Sequence, residues 1–169
     1  MMAGSFDMGD FERLAKAFQK ANDERVVERF IREFLTEMAY RAERKIKKRT
    51  VVGPTGDLRK SWRVGKIEKR GNNYIVEIFS NLDYASFVEY GFRSHWVPGR
   101  WEGNQFVYDP AAKTGMQVGK KGGWVEGRFM MTISMKEIEK ELPRYLEKRQ
   151  TELLNDIMNG RPARRGDFN

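Results

Sequence analysis

The chain has no cysteine and a single histidine, His95, among 169 residues. Without thiols it can build neither disulfide staples nor thiolate zinc sites, a composition that suits a reducing compartment such as the cytosol. One imidazole leaves histidine-rich metal centres and histidine relays without their parts. No apolar run comes near the roughly 18 residues that a membrane-spanning helix needs. The opening "MMAGSFDMGDFERL" lacks the basic-then-apolar order of a secretory signal. HExxH, Walker A and GxGxxG motifs are missing, and no solenoid repeat is visible. Positive charge, by contrast, is in excess: 32 Lys and Arg face 24 Asp and Glu, a net +8 that favours acidic partners, nucleic acid among them.

Periodicity supplies the architecture. Phe11, Leu14, Ala15 and Phe18 recur at helical spacing, and "ANDE" offers Asn22 or Asp23 as a break and N-cap. Val27, Phe30, Ile31, Phe34, Leu35, Met38, Ala42 and Ile46 then predict one long helix over 24–49, closed by "VVGPTG". "TGDLRKSW" predicts a short turn of helix capped by Thr55 or Asp57. Two β-rich runs flank "RGNN", predicting a hairpin of about 62–69 and 73–80. "DYASFVEYG" predicts a short helix stopped by Gly91. Residues 92–126 read as a long glycine-rich loop in which "QFVYD" could form a third strand. "SMKE" predicts a capping box of Ser134 and Glu137 opening a helix to about 158, kinked or restarted at Pro143. The expected fold is α+β: one domain over 1–158, with long N- and C-terminal helices packed on a small antiparallel sheet. A basic, disordered tail, 159–169, follows.

No residue set makes a convincing catalytic centre. His95 could act as a base toward Ser94 or Ser86, with Glu89 orienting it, but no nucleophile-elbow pattern fixes that geometry. A small ribonuclease using His, Arg and Tyr is the enzyme alternative, and the expectation is no activity, no cofactor and no metal. Met130, Met131 and Met135 suggest core packing at a helix entry rather than a soft metal site. Glu137 and Glu141 belong to a charged helix face, and the RGD of Arg165–Asp167 is too short a motif to carry meaning. "FRSHWVPGRW" and "KKGGW" interleave cations with aromatic rings, as nucleic-acid surfaces do. Arg41, Arg44, Lys45, Lys47, Lys48 and Arg49 form a basic helical stretch that, with Arg161–Arg165, is the candidate for weak DNA contact.

Order and spacing carry more than any single motif. Thr55, Gly56, Leu58 and Ser61 form a "TG-x-L-x-x-S" turn before the hairpin. Tyr84, Ala85, Val88, Glu89, Tyr90 and Gly91 form "YA-x-x-VE-[YF]-G" after it, and Gly127, Phe129 and Met130 introduce the last helix. This series, over roughly residues 8–158, resembles the tail-completion or head–tail joining proteins of tailed phages and prophages, the group that includes lambdoid minor tail protein Z. Phe92 departs from that pattern, which often has Thr there.

The resemblance implies a non-enzymatic virion protein, held in the host cytoplasm before assembly and afterwards in the neck of the tail. It implies a ring, hexameric because such tails have sixfold symmetry, and contacts to neck and tail-tube proteins. Surplus aromatics suit an adhesive surface. The expected interface is therefore Phe92, His95, Trp96, Arg100, Trp101, Phe106 and Trp124, on a segment mobile in the free subunit and ordered by assembly.

Overall fold

The computed structural model describes residues 24–159, together with Lys16 and Gln19. Apart from Lys16, the expected helix at 11–18 lies outside the described residues, as do its break at Asn22 or Asp23 and all but the first residue of the 159–169 tail. Helix α1, Glu24–Arg49, has the predicted bounds. Phe34, Met38, Ala42 and Ile46 are buried along it at every fourth position, and Thr50 just past its end continues the row. Helix α2, Asp57–Ser61, is the predicted short turn. Its capping residue is Gly56 in the left-handed conformation, φ 67°, rather than Thr55 or Asp57. A glycine takes that backbone at little cost, and the Thr55 hydroxyl instead meets the Asp57 carboxylate.

The hairpin is present in two short ladders. Strand β1 (Trp62–Val64) pairs with β4 (Ile78–Ser80), and β2 (Glu68–Arg70) with β3 (Asn73–Ile75). Between Val64↔Ile78 and Glu68↔Ile75 the outgoing strand uses one residue more than the returning strand, a bulge across Gly65–Ile67. Helix α3, Ala85–Tyr90, follows and ends at Gly91 as predicted.

The segment 92–126 is not a loop. It holds β5 (Gly91–Arg93), β6 (His95–Glu102), β7 (Gln105–Tyr108), β8 (Gly115–Val118) and β9 (Trp124–Glu126). β5 pairs with β9, and β6 sits at the centre of a three-stranded antiparallel sheet ordered β7–β6–β8. Gly99 and Gly115, two of the glycines that suggested a loop, serve close packing instead. A Cβ on Gly99 would lie 2.4 Å from the Val107 carbonyl oxygen and 2.6 Å from the Phe106 ring. One on Gly115 would lie 2.8 Å from the Trp96 indole. Aromatic rings laid over strand glycines hold a sheet together.

Helix α4, Met130–Met158, runs as one element through Pro143. It starts four residues before the expected capping box. Ser134 is buried within it and donates to the Met130 carbonyl, while Glu137 reaches across to α1. The two long helices lie antiparallel, as their bridges show: Glu37–Arg149, Lys45–Glu141 and Arg49–Glu137. The fold is α+β, two long helices packed together with small antiparallel sheets, and the core gathers Ile46, Leu58, Trp62, Ala85 and Met130 between them.

Candidate functional site

The first group of motif residues builds the junction after α1. Leu58 is buried in the core. The Ser61 hydroxyl donates to the Leu58 carbonyl at 2.8 Å and lies 2.6 Å from the Ser80 hydroxyl, tying α2 to the hairpin. Thr50 and Trp62 complete the joint. The Trp62 indole N–H donates to the Thr50 hydroxyl at 3.0 Å, and that hydroxyl donates to the Ile46 carbonyl at 2.7 Å. Sequence reasoning passed over both residues. Thr50 falls four residues after Ile46, so extending the buried row by one step would have found it.

Glu89 holds the second group together. Its side chain is buried at the head of α4, where the first backbone amides of a helix lack partners. Met131 and Thr132 amides donate to its two carboxylate oxygens at 2.9 and 2.8 Å, and the Thr132 hydroxyl adds a third bond at 2.7 Å. A carboxylate in that position also complements the positive end of the helix dipole. Glu89 therefore caps the last helix from a different helix and plays no part toward His95. Beside it, a Cβ on Gly91 would lie 2.4 Å from the Val125 carbonyl oxygen, and one on Gly127 would lie 2.4 Å from the Glu89 carbonyl oxygen. Glycine at both places lets two backbones cross. Ala85, Val88 and Glu89 face inward from α3, while Tyr84, Phe87 and Tyr90 face solvent.

The remaining candidates lie on the β5–β9 region. Trp96, Trp101 and Trp124 are each more than half exposed, as is Tyr108. Trp101 meets Phe106 edge to face at 5.4 Å between centroids, across the Trp101↔Phe106 pair. Phe92 is half-buried, with His95 against its edge at 5.7 Å. Arg100 is exposed and pairs with Glu102 at 2.9 Å and Asp109 at 3.6 Å. These residues share one contiguous chain segment without converging on a cavity. The 410 Å³ depression at Val64, Lys66, Ile75 and Phe79 belongs to the hairpin instead.

The imagined catalytic set does not assemble. The His95 Nδ1 lies 3.1 Å from the Arg93 carbonyl, and the Ser94 hydroxyl accepts from the Gly123 amide at 3.1 Å. Among the described residues no cluster of His, Asp and Glu could hold a metal ion, and no helix is long and apolar enough to cross a membrane.

The basic stretch is largely occupied within the fold. Arg41 bonds Glu37 at 2.8 Å and stacks over the Tyr145 ring, and Lys47 bonds Glu43 at 2.8 Å. Lys45 sits between Glu137 and Glu141 at 3.1 and 3.0 Å, and Arg49 reaches Glu137 and the Ser134 hydroxyl. The hydrogen bonds to Glu141 and Glu137 raise the Lys45 pKa above its ordinary value. The bond from Lys45 and the charge of Arg49 hold Glu137 below the usual carboxylate range, against partial desolvation. Only Arg44 and Lys48 of the six have no acidic partner among the described residues.

Residues 12–91 match a family model described as "Bacteriophage HK97-gp10, putative tail-component". The chain is 46% identical over 57 residues to "Phage-like element PBSX protein XkdI" of Bacillus subtilis (strain 168), covering 31% of this chain and 34% of that protein. It is 37% identical over 84 residues to "Uncharacterized protein YqbI" of the same strain, covering 44% and 49%. The matched region thus spans between about a third and a half of these relatives' length. No solved structure matches the chain. The family match stops at Gly91, so it takes in α1, the Thr55–Ser61 turn, the hairpin and α3, and leaves out the outward-facing tryptophans. Over residues 12–91, just under half its length, this chain is similar to the HK97-gp10-like tail components of bacteriophages and related to a protein of a phage-like element.

Proposed function

We propose that the protein is a structural subunit of a phage or prophage tail that completes the tail and joins it to the head. It works as one member of a ring of identical copies, hexameric if it follows the sixfold symmetry of such tails. Its partners are further copies of itself and the adjoining neck and tail-tube proteins. The observation that carries this reading is the match of residues 12–91 to a tail-component family and to a protein of a phage-like element. The outward aromatics after that segment support it, because exposed tryptophan is a preferred interface anchor. Nothing in the site's geometry calls for a reaction.

DNA enters only as a weak, salt-sensitive neighbour. With four of the six basic side chains of the 41–49 stretch bonded to acidic groups, few are left for phosphates. The test is genetic and visual. Inactivating the gene in its parent element should leave separate heads and unjoined tails in the electron microscope, restored by a wild-type copy. Joined particles in the absence of the protein would overturn the reading.

A further inference from the structure

The sheet β7–β6–β8 ends in an open edge on each side. Each outer strand pairs over four residues with β6 and with no other strand. The Asp109 amide donates to the Pro98 carbonyl at 3.3 Å, so in the alternating antiparallel pattern Phe106 and Tyr108 turn their backbone groups outward from β7. The Gly99 amide donates to the Thr114 carbonyl at 2.8 Å, so Gly115 and Gln117 turn theirs outward from β8. Natural edges are usually blunted by lysine, other charges or proline. "QFVY" and "GMQV" contain none of these.

The two open edges are equal in length, free of charge and on opposite sides of one sheet. A second copy of this chain is the partner that offers a β8 edge wherever it meets a β7 edge. We propose that β7 of one copy pairs with β8 of the next, so that the sheet runs on from subunit to subunit. Both strands run antiparallel to β6 and therefore parallel to each other, so a copy rotated about an axis along the strands adds a parallel pair. Such a head-to-tail contact consumes every edge when the rotation closes, and the exposed Trp101 and Tyr108 are carried into the seam. This inference rests on the tail-subunit reading and names the contact by which its ring would close.

The absence of native cysteine makes cross-linking unambiguous. In such a parallel pair Tyr108 lies beside Met116 on the same face of the sheet, so particles carrying Tyr108→Cys/Met116→Cys are purified, treated with a short bismaleimide and run on a denaturing gel. A ladder of multimers is expected from the double variant, none from either single variant, and dimers alone when the two single variants are co-expressed. The proposal falls if particles hold the double variant only as monomer, or if a single variant links as well as the double. Absence of the wild-type chain from purified particles would bring down the tail reading, and the edge pairing with it.

Discussion

Four tryptophans separate two regions of this molecule. Trp62 is 3% exposed and hydrogen-bonded to Thr50 at the centre of the core, whereas Trp96, Trp101 and Trp124 are 55, 59 and 57% exposed on the strands that follow α3. The same side chain closes a joint in one region and is presented to solvent in the other. The first region carries the match to known tail components, and the second begins where that match ends. Helix packing and the Glu89 cap thus make a frame, and the strands that follow it present the exposed tryptophans that we propose as the assembly surface. Variants in the two regions should fail differently, through folding in the frame and through assembly in the sheet.

The largest effect is expected in the frame. Phe34→Asp puts an unpaired carboxylate into the buried row of α1 and should cost about 3–5 kcal/mol, leaving little folded protein by circular dichroism. A soluble variant with a cooperative melt would break the assignment. Glu89→Ala removes three hydrogen bonds from the head of α4 and should cost about 2–3 kcal/mol in urea unfolding. Glu89→Gln, which keeps part of the acceptor set, should lose less. Gly91→Ala meets a positive φ of 82° and a carbonyl oxygen in the path of the added methyl, so a loss of about 1–2 kcal/mol is expected.

The helix–helix bridges sharpen the frame through pH. Glu137 is held below its ordinary pKa, so its contribution is present above the normal carboxylate range and disappears as pH falls through the lowered folded value. Lys45 is held above its ordinary pKa, so its share is present below the normal lysine range and is lost as pH rises through the raised folded value. Urea midpoints should therefore change little across neutral pH and fall toward both extremes. Lys45→Met should flatten the acid limb, and an unchanged limb would show that these pairs do not couple α1 to α4. At the other end of the scale, Trp96→Ala and Trp101→Ala should shift stability by only about 0.5 kcal/mol, as exposed substitutions do. Their effect should instead be counted as unjoined tails in micrographs.

The frame was legible in the sequence because its signals are local. Phe34, Met38, Ala42 and Ile46 repeat at one helical interval, and Gly71 in "RGNN" marks its own turn with φ 62°. Apart from β7, which "QFVYD" announced, the sheet was hidden because Gly99, Gly115 and Gly119 look like flexibility until their neighbours are known. Each lies where a strand or ring from elsewhere comes too close for a side chain. The head of α4 was misplaced for a related reason. Ser134 and Glu137 fit a capping pattern by spacing, yet the true cap comes from Glu89, more than forty residues away, a contact no local window contains. The interface candidates Trp96, Trp101 and Trp124 were legible as aromatics in irregular surroundings, but their strands were not.

Oxidative footprinting of the four tryptophans, in the free subunit and in purified particles, reaches the central claim most directly. Trp62 serves as the internal buried standard. The account predicts Trp62 protected in both samples, with Trp96, Trp101 and Trp124 reactive in the free subunit and protected in the particle. Equal reactivity of those three in both samples would contradict it, since the sheet would then face solvent in the finished tail.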